Sequence, residues 1–146
     1  METKNIMIVG VGGQGSLLAS KLLGKLFLKK GYDVKVSEVH GMSQRGGKIV
    51  AATQKINPMP VIIGAAEYPE QLEEKIRAAG AELDAFDALS LAEKAGSAKA
   101  VNIALMGRLS KYFDFTEEEW LSAIEESVPP KFLDLNKNAF RLGREA

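Results

Sequence analysis

The sequence predicts an α/β domain with a Rossmann-like, mostly parallel sheet flanked by helices and a helical C-terminal part. Three observations carry this expectation. A short apolar run, "NIMIV" (5–9), leads into the glycine-rich "GVGGQG" (10–15). The hydrophobic period then becomes helical and returns to alternation in "YDVKVSEV" (32–39). Strand, glycine turn, helix and strand thus follow one another within about 35 residues, the length of a βαβ unit. Further downstream, β-rich runs keep alternating with helical patterns, which argues for a parallel sheet.

Asn5 to Val9 has the unbroken apolar character of a strand buried on both faces. From Gly15 to Lys30, Leu18, Leu22 and Leu26 join Ala19, Leu23 and Phe27 in one stripe, with Lys21, Lys25 and Lys29 on another face. This is an amphipathic helix, closed by Gly31. "VHGMSQRGGK" (39–48) has glycines, mixed polarity and no period, and reads as a loop. "KIVAAT" (48–53) reads as a third buried strand. The prolines of "QKINPMP" break structure ahead of the apolar "VIIGAA". Pro69 suits the first turn of a helix running to Ala79, with Gly80 after it. "AELDAFDA" is a fourth strand candidate, and Leu89–Lys94 a short helix ending near Gly96. Residues 98–111 place Val101, Leu105 and Leu109 on one helical face. Thr116 followed by Glu119 matches a capping box, opening a helix that buries Trp120, Leu121 and Ile124 and stops at Pro129 and Pro130. "KFLDLNKNAFRLG" is a last amphipathic helix with Gly143 as its C-cap. No repeat or linker interrupts the pattern, so residues 1–146 are expected to form a single domain.

Composition narrows the function classes. Hydrophobic residues at 46% and charged residues at 26% are ordinary for a globular chain. Lysine plus arginine equals aspartate plus glutamate at 19 each, so no global field favours nucleic acid or a membrane surface. No apolar run is long enough to span a bilayer, and "METKNIMIVG" lacks the features of a signal peptide, so a cytoplasmic location is expected. There is no cysteine, and His40 is the sole histidine. That excludes disulfides, a cysteine nucleophile, cysteine-ligated zinc and any iron–sulfur cluster held by this chain alone. No metal site is expected. Redox chemistry here would have to reside on a cofactor or a partner.

Two clusters carry candidate chemistry. Gly10, Gly12 and Gly15 match the dinucleotide fingerprint: a tight turn, close backbone approach to phosphate, and close packing of helix on strand. Gly13 adds permissive backbone, and Gln14 brings a carboxamide that both donates and accepts hydrogen bonds. Glu38 stands where an acidic residue would meet a ribose hydroxyl. The same glycines also serve simply to seat helix on sheet. The second cluster, "SEVHGMSQRGG" (37–47), follows the second strand and is expected at the carboxyl edge of the sheet, where ligands of open α/β sheets bind. Arg45 can grip a phosphate or carboxylate with two donors, Ser43 and Gln44 add neutral ones, and Gly46 and Gly47 leave backbone open to close approach. His40 is an acid–base candidate, although a lone histidine is more often a packed or surface residue. No nucleophile–base pair is present, so no catalytic residue is assigned to this chain alone.

The stretch from "NIMIVGVGGQG" through "SEVHGMSQRGG" resembles the amino-terminal part of the small (beta) subunit of indolepyruvate:ferredoxin oxidoreductases, the gamma domain of the 2-oxoacid:ferredoxin oxidoreductase family. "INPMPVIIGAAEYPE", "KAVNIALMGRLSKYF" and "VPPKFLDLNKNAFRLG" resemble the carboxyl half of the same subunit. One departure stands out. In the family, strands and a hairpin intervene between "QRGG" and the segment resembling "GGKIVAATQKINP", whereas here Gly47 leads straight into "KIVAAT". An internal deletion after Gly47 of some tens of residues is implied, too long for ordinary loop variation.

The resemblance implies oxidative decarboxylation of an arylpyruvate to its acyl-coenzyme A, with electrons passed to ferredoxin. It implies thiamine diphosphate and 4Fe-4S clusters on a large alpha subunit, a division with which the missing cysteines independently agree. Gly10, Gly12, Gly13, Gln14 and Gly15 would then lie near a coenzyme A phosphate or the subunit interface. Glu38, His40, Ser43, Gln44, Arg45, Gly46 and Gly47 would face the partner's cleft. Two alternatives stay open: a shortened, non-catalytic paralogue acting as a binding module, and a stand-alone oxidoreductase using NAD through Gly10, Gly12, Gly15 and Glu38.

Overall fold

Helices carry most of the buried apolar residues. The computed structural model describes residues 2–10, 15–36 and 47–146. Along these the chain forms α1 (Ser16–Lys29), β1 (Gly47–Ala52), α2 (Met59–Ile62), α3 (Leu72–Ala78), β2 (Ala81–Phe86), α4 (Ala88–Ala95), α5 (Val101–Leu109), α6 (Glu117–Glu125) and α7 (Leu133–Glu145). Short 3-10 turns at Ala98–Ala100, Ser110–Tyr112 and Pro130–Phe132 lead into or out of the last helices. The fold class is α/β: a parallel sheet flanked by helices, followed by a helical C-terminal part.

β1 and β2 pair in parallel, from Gly47 opposite Ala81 to Ala52 opposite Phe86, with α2 and α3 in the crossover. Among the described residues these two strands are the whole sheet. The Thr53 N–H donates to the Phe86 carbonyl at 3.0 Å. Because the polar groups of a parallel strand alternate in direction, Ile49 and Ala51 also turn toward β2, while Lys48, Val50 and Ala52 turn theirs to the open edge.

Two expected strands are not formed. Residues 5–9 and 32–36 have no regular structure, and Val9 and Val36 are 72% and 68% exposed. The reason lies in what α1 packs against. Its apolar stripe of Ala19, Leu22, Leu23, Leu26 and Phe27 is buried as expected, but against α6 and α5 and not against a sheet. Segment 32–36 lies along the same helix, where an added Gly24 methyl would sit 3.9 Å from Val34 and 4.0 Å from Val36. Phe27 meets Tyr32, Phe113 and Phe115 edge-to-face at 5.0, 5.5 and 5.1 Å, and Trp120, fully buried, continues the cluster to Phe140 at 5.9 Å. Aromatic pairs of this geometry add to plain area burial. The exposed lysine stripe ties α1 to α6: Lys25 donates to the Glu126 carbonyl at 2.7 Å, Lys29 pairs with Glu126 and Lys30 with Glu119. The expected loop 39–46 and glycine-turn residues 11–14 lie outside the described residues.

Local signals elsewhere hold with small shifts. The capping box of α6 is present: the Glu119 N–H donates to Thr116 Oγ1 at 3.3 Å and the Thr116 N–H to Glu119 Oε2 at 2.9 Å. Lys30 and the Thr116 N–H hold the Glu119 carboxyl below its ordinary pKa. Gly31 adopts the left-handed φ of 83° that closes α1. The helix expected from Pro69 begins at Leu72, because Gln71 is left-handed at φ 53° and interrupts the turn before it.

Gly143 is not a cap. It lies inside α7, and α5 crosses there so closely that a methyl on Gly143 would strike the Ala104 carbonyl. Gly107 faces the Phe140 carbonyl of α7 in the same way. This contact buries α5 on several sides, including Ile103, Ala104 and Met106, where a single apolar stripe was expected. Leu105 and Leu109 are only half-buried.

Gly107→Ala or Gly143→Ala is expected to lower unfolding stability by about 3 kcal/mol or more, since backbone and not side chain must yield. Gly24→Ala, which meets only ordinary contacts, should instead raise it by about 0.5–1 kcal/mol through helix propensity. Denaturant titration of the three variants checks both signs. In hydrogen exchange, the amides of Ile49, Ala51 and Thr53 should exchange slowly and those of Lys48, Val50 and Ala52 fast. Uniform protection would mean that another strand covers the open edge.

Candidate functional site at the carboxyl edge of the sheet

α1 begins at a left-handed glycine. Gly15 has φ 79° and ψ 23°, a conformation that costs a side-chain-bearing residue energy. Among the described residues no side chain caps the helix, and no acidic residue stands in its first turn. The first N–H groups of a helix lack intrahelical acceptors and carry partial positive charge, so an uncapped start free of carboxylates suits an anion. α4 differs. It follows β2 directly, and Asp87 accepts hydrogen bonds from the Ser90 N–H at 3.0 Å and Ser90 Oγ at 2.6 Å. Those bonds hold the Asp87 carboxyl below its ordinary pKa and place a charge where an anionic ligand would have to sit.

The direction of α5 completes the edge. Tyr112, just past its end, donates to Asp84 Oδ2 at 2.5 Å, and its ring lies 4.0 Å from the Lys48 ammonium at the start of β1. Arg108, one turn earlier, stacks on Phe86 at the end of β2, 4.6 Å from the ring centre. The helix therefore runs antiparallel to the strands, and its first turn reaches their carboxyl ends. There Asn102 approaches α1: its Nδ2 lies 3.7 Å from where a Gly15 side chain would begin. Gly15 and Asn102 are thus brought together at the edge. Asn102 lies in "KAVNIALMGRLSKYF", which carried the resemblance but no site assignment, and the crossing of α5 and α7 puts it there.

Gly10 is exposed in the segment leading to the turn. Gly47 is the first residue of β1 and so stands at the amino end of the sheet, about 17 Å of strand from the carboxyl edge. Gly12, Gly13, Gln14, Glu38, His40, Ser43, Gln44, Arg45 and Gly46 lie outside the described residues.

Another charged cluster, unforeseen from sequence, sits under α5. Lys48 pairs with Glu82 at 3.0 Å across the strands, and Arg108 Nε lies 3.8 Å from the same Asp84 oxygen that Tyr112 contacts. The Asp84 hydrogen bond raises the Tyr112 pKa, so the phenol stays protonated. Its groups are engaged with one another, and it fastens α5 to both strands. Two surface grooves lie elsewhere. One of about 230 Å³ between α1 and α6 is lined by lysines already paired with glutamates, and one of about 420 Å³ lies between α1 and Val34 and Val36. Neither includes Gly10 or Gly15. Among the described residues, no group of His, Cys, Asp or Glu could hold a metal ion, and no helix is long and apolar enough to cross a membrane.

The family model described as pyruvate ferredoxin/flavodoxin oxidoreductase matches residues 5–68 and 49–146. The chain is 35% identical to the "Indolepyruvate oxidoreductase subunit IorB" of Thermococcus kodakarensis and 37% identical to that of Pyrococcus horikoshii. Each alignment covers 100% of this chain and 96% of the relative. Against the protein of the same name in Archaeoglobus fulgidus the identity is 30%, over 95% of this chain and 92% of the relative. The alignment to the Thermococcus protein is 195 residues long and spans a chain of 146, so about 49 of its positions face a gap here. The two matches overlap over residues 49–68, so the first continues past Gly47 into β1 and beyond. With both pieces of the model matched along nearly its whole length, the chain belongs to the pyruvate ferredoxin/flavodoxin oxidoreductase family.

Proposed function

We propose that this chain is the small, thiamine-free subunit of a 2-oxoacid:ferredoxin oxidoreductase that acts on arylpyruvates, indolepyruvate foremost. The observation that carries this reading is the whole-chain similarity to proteins named as indolepyruvate oxidoreductase subunits. In the overall reaction the oxoacid loses carbon dioxide, two electrons leave for ferredoxin, and coenzyme A takes the acyl group. Thiamine diphosphate and iron–sulfur clusters, when bound, supply decarboxylation and one-electron transfer, and the absence of cysteine agrees with a place for the clusters on the large alpha subunit.

The chain's own part is to bind and orient. Gly10, Gly12 and Gly13 let backbone approach a coenzyme A phosphate, and Gln14 offers a carboxamide to its polar edge. Gly15 starts α1 so that the free N–H groups of the first turn meet the anion. The lack of a carboxylate or side-chain cap at that turn supports the assignment. Glu38, His40, Ser43, Gln44, Arg45 and Gly46 form the stretch facing the partner's cleft, with the Arg45 guanidinium as the anion-gripping group. Gly47 carries that stretch into β1. A second reading, a shortened paralogue that docks on a large subunit without supporting turnover, is favoured by one observation: about fifty residues of the relatives have no counterpart here.

The isolated chain is expected to leave arylpyruvates untouched. With the large subunit, arylpyruvate and coenzyme A, it should support reduction of a low-potential dye. Complex formation without dye reduction selects the docking module; oxoacid oxidation by the chain alone overturns both readings. In thermal melts, coenzyme A at ten times its Kd should stabilise the chain by about 1.4 kcal/mol, and NAD should do less. Arg45→Ala should shrink the coenzyme A shift. A shift with NAD and none with coenzyme A would favour a nicotinamide site built on Gly10, Gly12, Gly15 and Glu38.

A further inference from the structure

Between β1 and α3 the chain forms an exposed arm. From residue 53 to residue 75 every residue is exposed except Val61 and Tyr68, which are half-buried. Met59, Ile62 and Ile63 are 66%, 65% and 69% exposed, and none of them packs against the hydrophobic core. The backbone that presents them is closed on itself. The Val61 and Ile62 N–H groups donate to the Pro58 carbonyl at 2.9 and 3.1 Å, and those of Ala65 and Ala66 to the Pro60 carbonyl at 2.8 and 3.0 Å. A knob already ordered loses little entropy on docking. Glutamates follow it: Glu67, Glu70 and Glu74 have no ion-pair partner among the described residues, and Glu73 pairs with Arg77 at 3.5 Å.

The same chain carries a surface of the opposite character. The groove of about 420 Å³ beside α1 is lined by Gly24, Leu28, Val34 and Val36 together with Lys21 and Lys25, and by no acidic residue. Leu28 and Val36 are 59% and 68% exposed. Glycine at position 24 leaves the two valines uncovered, since a methyl there would already touch them at 3.9 and 4.0 Å. Lys25 donates to the neutral Glu126 carbonyl at 2.7 Å, while the Glu126 carboxylate pairs with Lys29. Lys21 has no ion-pair partner among the described residues.

We propose that this groove receives the arm of a second copy of the chain. Met59, Ile62 and Ile63 enter beside Leu28, Val34 and Val36, and the arm's glutamates meet Lys21 and Lys25. Both surfaces belong to one molecule, and they complement each other in apolar character and in charge. Neither surface suits itself: arm against arm sets glutamate against glutamate, and groove against groove sets lysine against lysine. The contact therefore joins unlike surfaces, and made reciprocally it closes a two-fold dimer. The inference stands apart from the subunit reading under Proposed function.

The test is sedimentation of the full chain over a concentration series, which should show a monomer–dimer equilibrium that weakens with salt. Ile62→Asp/Ile63→Asp should weaken dimerisation by about thirtyfold or more, with the melting temperature of the dilute chain unchanged. Glu70→Lys/Glu74→Lys and Lys21→Glu/Lys25→Glu should each weaken it by about tenfold at low salt. Mixed together, these two charge variants should associate with each other about as tightly as wild type does with itself, because both contacts of the mixed pair again set lysine against glutamate. That recovery also shows that the variants are folded. A chain that stays monomeric up to about 1 mM, variants that dimerise like wild type, a mixture no tighter than its components, or growth past the dimer would overturn the proposal.

Discussion

The crossing of α5 and α7 is the contact on which the rest of the molecule depends. Gly107 and Gly143 bring two helix backbones together with no side chain between them. Contact that close buries Ala104 and Phe140 completely and fixes the position of α5 in depth as well as direction. α5 then does two things for the fold. Its C-terminal end, through Arg108 and Tyr112, is fastened to both strands, and its first turn sets Asn102 beside Gly15. A two-stranded parallel sheet has little stability of its own. It persists here because a helix clamped from behind holds one of its faces.

α1 is held from a different side. Its apolar stripe enters the aromatic cluster of Phe27, Phe113, Phe115 and Trp120, and its lysines reach across to α6. The helix start is left without a cap while its body is pinned at several points. Among the described residues no side chain takes up the first N–H groups of α1, which is the arrangement an anion site needs. The contrast with α4, whose start is closed by Asp87, shows that the free end of α1 is not a feature common to every helix at this edge.

About fifty aligned positions of the relatives have no counterpart in this chain, and within the chain the sheet and the helices are unequally supported. The helical half, from α4 to α7, carries most of the buried residues and packs chiefly on itself. The strand candidates before β1 have no such mutual support. A strand exists only by pairing, and with α1 turned toward α5 and α6, residues 5–9 and 32–36 pair with no strand among the described residues.

Features that depend on neighbours in the chain were legible in the sequence. The stripe of α1, its closure at Gly31, the Thr116–Glu119 box, an end of α6 ahead of Pro129 and Pro130, and the strands expected at 48–53 and 81–88 and formed at Gly47–Ala52 and Ala81–Phe86 all arise within one or two turns of backbone. The family was legible for the same reason, since "GVGGQG" and "SEVHGMSQRGG" are contiguous words. Tertiary structure decided what depends on distant partners. Gly143 looked like a helix end because a glycine after an amphipathic run usually is one, and only the arrival of Ala104 makes it a crossing point. Asn102 sits in a stretch that resembles the family but has no assigned role, and its place beside Gly15 follows from the depth of that crossing. Residues 5–9 carry a strand's composition without a strand's partner. Sequence sets local backbone preference and the pattern of burial; pairing, crossing and proximity are properties of surfaces that meet only once the chain has folded.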